Sequence, residues 1–488
     1  MNPLKKLFKQ TAIYGLATVL PRMLSVLLVP LYTAVMAPEK YGVVIIIFSW
    51  VAIFNVFLAY GLETAFFRFY NKNENKDVVV STSLISILAT TVFFLVVGLL
   101  LQDTLSDVFD VGPVYIKYLI LIAVLDALVM IPFAWLRANE KPMKYAVVKI
   151  TNVVINLMIA IFFLLILPEM AENSSNGFLS WLYRPDFEIS YILIANLISS
   201  GITLLIMLPL YLKSSYNFDI DLWKRMMRYA WPILIAGIAF TINEVFDKVL
   251  LNELLPADIA ESEVGKYGAC YKLGMFMTLF GTAFRMGIEP FFFSHAGTEN
   301  PQKAYAQITD YFVILGSVIL LTVVVFADVL KVLFVRNEAY WEAMDVVPLI
   351  LLGSFFLGIY HNLSVWYKVT DKTRYAALIS AIAAFITIGI NLLFIPKFGY
   401  MASAVATVLA YGSMMVLSYY LGKSHYPVPY NFRKIIFYLS LSIVFSALSF
   451  YVFNRNLIVG CILLALFLGL VYKLENDKLR SIFLKKEG

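Results

Sequence analysis

Charge is what this chain has least of: Asp, Glu, Lys and Arg make up 14% of its 488 residues, against 61% apolar. Soluble domains carry about a quarter charged and about half apolar residues, so a soluble globular protein is excluded. Histidine and cysteine are rarer still, at three and two. Cys270 and Cys461 both fall in apolar runs, away from any CxxC or Cys/His cluster, so neither a disulfide nor a zinc site is expected. There is no GxSxG, HExxH or P-loop pattern, and no polar loop reaches thirty residues. With no room for an extramembrane catalytic domain, neither an enzyme nor a cofactor is expected.

What is present is a long series of apolar blocks. Fourteen of them lie between residues 10 and 473, each of the roughly twenty residues that cross a hydrocarbon core of about 30 Å. The expected fold is an all-α integral membrane protein of about 14 transmembrane helices. The opening MNPLKKLFKQ is basic and then apolar like a signal peptide, but the apolar run continues to Met36 without a small-residue cleavage site, so it reads as a retained first span.

The net charge of +6 is topological. Counting the N-terminus and every second loop puts 25 Lys and Arg on one side, against six on the other: Lys40, Arg184, Lys266, Arg336, Lys397 and Arg455. The positive-inside rule then places both termini in the cytoplasm of a multi-pass plasma-membrane protein. Nucleic acid is not implied.

The chain repeats itself. Shifted by 226 positions without a gap, residues 40–67 superpose on 266–293 with eight identities in 28, among them Lys-Tyr-Gly at the start and Gly61, Glu63, Phe66 and Phe67 on Gly287, Glu289, Phe292 and Phe293. A second echo sets EKPMKYA (140–146) against DKTRYA (371–376). The expected organisation is an N-terminal lobe, 1–212, a linker, 213–226, a C-terminal lobe, 227–423, and two added spans with a tail, 424–488. Parallel repeats of this kind recur in transporters, with substrate between the halves. In each copy the glycine suits close helix approach, and the paired phenylalanines suit an interfacial belt.

A lone ionised side chain at the bilayer centre costs about 2.5–3.5 kcal/mol on insertion scales, yet these spans carry many. At membrane depth, or at its mouth for Arg68, stand Arg22, Arg68, Lys149, Lys248, Lys272 and Arg285, facing Glu63, Asp126, Glu244, Asp247 and Glu289. On a helix Asp247 lies about 60° to one side of Glu244 and Lys248 about 40° to the other, so the three share a face. Glu244 to Lys248 is also a favourable i,i+4 pair. Any single one of these charges reads equally well as a packing ion pair. Taken as a set they read as a solvated mixed-charge cavity, in which the cations would bind a phosphate-bearing substrate and the carboxylates would serve coupling to H+ or Na+. Glu63 has Arg22, Arg68 and Arg285 as its nearest candidate partners in sequence terms. Pro21 marks a hinge beside Arg22, and His361 is a candidate titrating group in the tenth span. Two short matches carry little: Asp219-Ile220-Asp221 resembles a sugar-nucleotide DxD but reads as solvated loop, and Asn173-Ser174-Ser175 is a glycosylation sequon in form alone.

The stretches KKLFKQTAIYGLATVLPRMLSVLLVPLYTAVMAPEKYG, GLETAFFRFY and WLRANEKPMKYAVVKI resemble the bacterial polysaccharide flippases of the Wzx type, in the superfamily that includes multidrug extruders and lipid II flippases. The resemblance implies transfer of an undecaprenyl-diphosphate-linked oligosaccharide from the inner to the outer leaflet, for O-antigen, capsule or exopolysaccharide assembly. It implies alternating access around a cationic cavity, with Arg22 as the first-span arginine and Arg68 as the basic end of the second span, and a polysaccharide polymerase and ligase as partners. A multidrug extruder of the same superfamily and a non-transporting scaffold are the competing readings. Six cavity cations argue against the first, and the second predicts that charge-swapped pairs keep full activity.

Overall fold

The computed structural model describes residues 15, 19–21, 23–72, 75–173, 182–295, 300–370, 372 and 374–483. Among these residues the regular elements are all helical, and eleven helices are long and apolar enough to cross a membrane. After a short helix, Leu28–Val35, in the expected first span, the second span is α1 (Pro38–Ala59) and α2 (Leu62–Lys72). Then come α3 (Lys76–Leu100), α4 (Pro113–Ala138), α5 (Pro142–Ile161) and α6 (Glu188–Leu212). The seventh span lies in α7 (Ile220–Leu254), and the eighth is divided between α8 (Ala257–Tyr271) and α9 (Met275–His295) by the 3-10 turn Lys272–Gly274. The remaining spans are α10 (Pro301–Val325), α11 (Val347–Leu363), α12 (Arg374–Phe398), α13 (Tyr400–His425), α14 (Phe432–Ala447) and α15 (Leu457–Phe483). The all-α class with about fourteen spans holds.

Local chemistry sets the helix starts. Helices α1, α4, α5 and α10 open on Pro38, Pro113, Pro142 and Pro301, where the missing N–H costs no hydrogen bond and the fixed φ already suits a helix. Helix α7 is capped by Asp219, whose Oδ1 accepts from the N–H groups of Asp221 and Leu222, both at 2.9 Å. The DxD match is therefore an N-cap.

The second span breaks where the repeat motif begins. Tyr60 (φ 30°) and Gly61 (φ 73°) are left-handed, and a side chain on residue 61 would stand 2.5 Å from the carbonyl oxygen of Ala230 on α7. Glycine is the residue without strain there. The break starts a fresh helix and puts Glu63 in its first turn, where unpaired N–H groups favour a carboxylate. The second copy does not share this break, because α9 runs on through Gly287 and the interruption falls earlier, at Lys272–Gly274. Phe66, expected in an interfacial belt, is fully buried and stacks on Tyr70 at 5.2 Å. The cause is the new helix, which turns this phenylalanine inward among Leu84, Ile131 and Met226.

The chain forms two compact units: residues Met1–Gly268 with Arg374–Ser403, and Ala269–Thr373 with Ala404–Gly488. In the first, α7 packs along α12 and α1, α6 packs on α4 and α5, and α3 lies against α4. Hydrophobic burial cannot drive helices together in lipid, so close packing and internal hydrogen bonds must do so. Between α7 and α12 a chain of hydrogen bonds supplies this: Ser403 Oγ donates to Asn391 Oδ1, Asn391 Nδ2 to the Thr387 carbonyl, and Thr387 Oγ1 to Asn243 Oδ1, each at 2.7 Å. Between α1 and α8 the Lys-Tyr-Gly motifs meet: a side chain at Gly42 would strike the Glu261 carbonyl, one at Gly265 the Pro38 carbonyl, and one at Gly268 the Ile45 side chain.

In the second unit α10 packs against α9, α11, α14 and α15. Gly316 faces the ring of Phe355 and Gly358 that of Phe312, so two bare positions each receive an aromatic ring from the partner helix. The α14–α15 pair closes on Glu475, which accepts from Lys434 Nζ at 2.7 Å and Tyr438 Oη at 3.0 Å. Phe93, Leu100, Phe385 and Ile458 are each 70% exposed or more, an apolar surface that only lipid covers at low cost.

One outcome tests the α1–α8 seam. Gly265→Leu should lower the thermal midpoint of the detergent-solubilised protein, by an amount equivalent to about 1–3 kcal/mol of overpacking; an unchanged midpoint would contradict the close backbone approach there.

Candidate functional site

Polar side chains recur at helical spacing on the facing sides of α5 and α6. Asn152 and Asn156 on α5 meet Thr203 and Ser199 on α6, at 2.9 Å and 3.4 Å. Both pairs are spaced i,i+4, so the rows lie parallel as the helices pack. At the residue next to Ser199, Ser200 Oγ donates to Asp126 on α4 at 3.0 Å, and Asn55 Nδ2 of α1 donates to the same carboxylate at 3.3 Å. The other amide atom, Asn55 Oδ1, is buried without a hydrogen-bond partner among the described residues. A carboxylate beside an unsatisfied amide oxygen is a place where a proton or small cation gains ligands.

Lys149 on α5 sits over the ring of Phe133, 4.2 Å from its centroid, within electrostatic reach of Asp126, Glu63 and Arg137. No carboxylate contacts its ammonium among the described residues. Glu63 is bound by Arg137 Nη1 at 2.8 Å, with the two side chains 41% and 44% exposed. Arg137 also lies over Phe67 at 4.8 Å. Arg68 is exposed, stacks on Tyr229 of α7 at 4.2 Å and has no carboxylate partner among the described residues. Arg68, Arg137 and Lys149 are thus cations held in place by aromatic faces as much as by carboxylates, which leaves their N–H groups available to an anion.

The expected partners of Glu63 were Arg22, Arg68 and Arg285, and its partner here is Arg137. That residue ends the fourth span and reads in the sequence as one more positive charge at a loop; its approach to α2 arises from helix packing. Asn55 was missed for a similar reason, since a single amide in an apolar span gives no periodic signal.

Two of the seventh-span charges pair with each other. Lys248 Nζ donates to Asp247 Oδ1 at 2.8 Å and to the Glu244 carbonyl at 3.1 Å, and Tyr267 Oη donates to Asp247 Oδ2 at 2.7 Å. The Lys248 and Asp247 side chains are 9% and 4% exposed. Lys248 therefore pairs with its neighbour instead of with the Glu244 carboxylate, because Asp247 is already held by Tyr267, and Glu244 is left exposed. In such a pair the mutual attraction works against the cost of removing both charges from water.

Two of the other expected residues belong to the second compact unit. Lys272 lies in the 3-10 turn of the eighth span, and Arg285 is partly buried on α9, within electrostatic reach of His361 on α11. Pro21 is helical and partly buried. Arg22 and the side chain of Glu289 lie outside the described residues, as do Ser174 and Ser175 of the sequon. No cluster of three or more His, Cys, Asp or Glu suited to a metal occurs among the described residues.

The fold is shared with solved structures of membrane transport proteins. The chain aligns with the lipid II flippase MurJ in an inward closed conformation, with a TM-score of 0.72 and 15% identity over 95% of this chain and 99% of that one. An inward-facing multidrug resistance MATE family transporter of the MOP superfamily aligns with a TM-score of 0.64 and 13% identity, over 85% and 94%. A MOP superfamily transporter from Pyrococcus furiosus, described by the reverse polarity of its binding pocket, gives 0.58 and 13%, over 86% and 94%. At these identities the likeness is one of fold. No curated protein sequence matches the chain. The MatE family model matches residues 232–393. The model described as polysaccharide biosynthesis protein matches residues 7–294, more than half of the 488, and the chain belongs to that family.

Proposed function

We propose that the protein flips an undecaprenyl-diphosphate-linked oligosaccharide from the inner to the outer leaflet of a bacterial plasma membrane, with both termini cytoplasmic. The observation that carries this reading is the set of cations Arg68, Arg137 and Lys149, held by aromatic rings in a span-rich region yet lacking full carboxylate compensation. A diphosphate joined to a sugar chain cannot cross about 30 Å of hydrocarbon unaided, since each buried charge or unpaired polar group costs several kcal/mol. Arginine forks and a lysine in a wet cleft replace the lost hydration. The membrane potential, negative inside, favours outward movement of an anion by about 2.3 kcal/mol per charge per 100 mV. The shared fold of a lipid II flippase and membership of a polysaccharide biosynthesis family agree with the substrate class.

In this mechanism the repeat lobes, 1–212 and 227–423, alternate access about the cationic cavity, with Pro21 as hinge. Arg22, Lys272 and Arg285 extend the set of cations that follows the headgroup. Glu63 holds Arg137 in position, and Glu289, its copy in the repeat sequence, serves cation coupling or a cavity ion pair. Asp126 with Asn55 is the coupling position for H+ or Na+, and Lys248 with Asp247 is scaffold. The polymerase and ligase of the pathway receive the delivered glycan.

Arg68→Ala and Arg137→Ala should each reduce flipping of a diphosphate-linked glycan in vesicles by roughly tenfold or more, the loss expected for a charge-assisted contact. Wild-type rates in both variants would sink the cationic-cavity reading. Asp126→Asn, which keeps the side-chain shape and removes the titrating charge, should leave basal flipping in place but abolish its response to an imposed proton or sodium gradient. The match to a multidrug transporter family over residues 232–393 supports a second reading, as a drug extruder. On that reading a deletion strain gains drug sensitivity while surface polysaccharide stays normal; the flippase reading expects the reverse.

A further inference from the structure

The EKPMKYA motif at 140–146 has no part in the cation cluster. Lys141, Met143 and Lys144 line a separate cleft of about 750 Å³, formed where the start of α3, the ends of α4 and α6 and the start of α5 come together. Two prolines open it. Pro132 in α4 and Pro209 in α6 both line the cleft and interrupt their helices' hydrogen bonding. The carbonyl of Leu128, four residues before Pro132 and so deprived of its helical donor, accepts from Tyr211 Oη at 2.6 Å. The helix ends leave space between them instead of closing side to side.

The lining is divided by chemistry. The floor is apolar and buried, with Val80, Leu136, Val148 and Met207. The rim holds the exposed ammonium groups of Lys141, Lys144 and Lys213 against one carboxylate, Asp77. Lys141 is steadied over the Trp135 ring at 4.3 Å. No carboxylate contacts any of the three lysines among the described residues. The apolar lining also runs out to the surface: Met143, Val147 and Ile206 are 60%, 55% and 45% exposed at the ends of membrane-spanning helices.

We infer that this cleft binds an anionic phospholipid, its phosphodiester held by the three lysines and the upper part of one acyl chain lying along the apolar floor. Charge complementarity selects the headgroup, and a basic pocket between spans at the membrane–water boundary is a recurring lipid-headgroup site. A free phosphate has no use for the apolar floor, and a neutral lipid has none for three uncompensated ammonium groups. The inference stands whether or not the protein flips a glycan, because it concerns a cleft apart from the cation cluster.

The test uses the full chain in phosphatidylcholine nanodiscs, titrated with phosphatidylglycerol and read as bound lipid by native mass spectrometry. Wild type should take up phosphatidylglycerol in preference to phosphatidylcholine, and Lys141→Gln/Lys144→Gln/Lys213→Gln should lose that preference by roughly fivefold for each lysine removed. Val147→Trp, which fills the cleft mouth and keeps every charge, should lose it too. A control, Lys423→Gln/Arg433→Gln, should keep it. Retention of the preference in the triple variant would overturn the proposal. So would displacement of the lipid by glycerol 3-phosphate at equal concentration together with full binding in Val147→Trp, since those results describe a free-phosphate site.

Discussion

A polar or charged group inside hydrocarbon must find a partner or reach water, and this one requirement organises the first compact unit. Three solutions occur within it. Asp247, Lys248 and Tyr267 satisfy one another in a closed, buried set. Asn243, Thr387, Asn391 and Ser403 pass hydrogen bonds along α7 and α12 with no formal charge. Around Arg68, Arg137 and Lys149 the compensation is partial, and aromatic rings stand where carboxylates would complete it. The first two solutions hold helices together. The third leaves hydrogen-bonding capacity unused, which is what a site for an anion requires.

Because lipid supplies no hydrophobic drive between helices, the approach of backbones matters as much as the pairing of charges. Gly42 and Gly265 let α1 and α8 cross with backbone against backbone, a geometry closed to any residue with a Cβ, and Gly268 makes room for the Ile45 side chain. Gly61 serves a different purpose: it breaks the second span and so places Glu63 at a helix start, within reach of Arg137. The two copies of the repeat share these sequence marks and diverge in backbone, one interrupted at Tyr60–Gly61 and the other at Lys272–Gly274. A duplicated motif therefore need not give a duplicated local structure, since each copy bends where its neighbours allow.

Much of the architecture was legible in the sequence because hydropathy and length report directly on what lipid demands of a chain. The all-α class and about fourteen spans followed from such one-dimensional signals, and the family came separately, from the resemblance of particular stretches of sequence. Of the candidate site, residue type was legible and pairing was not. It marked Asp126, Lys149 and Lys248 alike as costly at membrane depth, because a lysine paired with a buried carboxylate and a lysine over an aromatic ring look identical along the chain.

The sequence by itself determined which residues must be reconciled with the membrane, since the penalty on a charge or an unpaired amide depends on the residue and its depth. Only the tertiary structure decided how each was reconciled. Arg137 meets Glu63 across 74 positions and Asn55 meets Asp126 across 71, and no local periodicity encodes contacts of that range. They follow from which helix faces pack together, a choice made collectively by glycines, helix breaks and prolines in several spans at once.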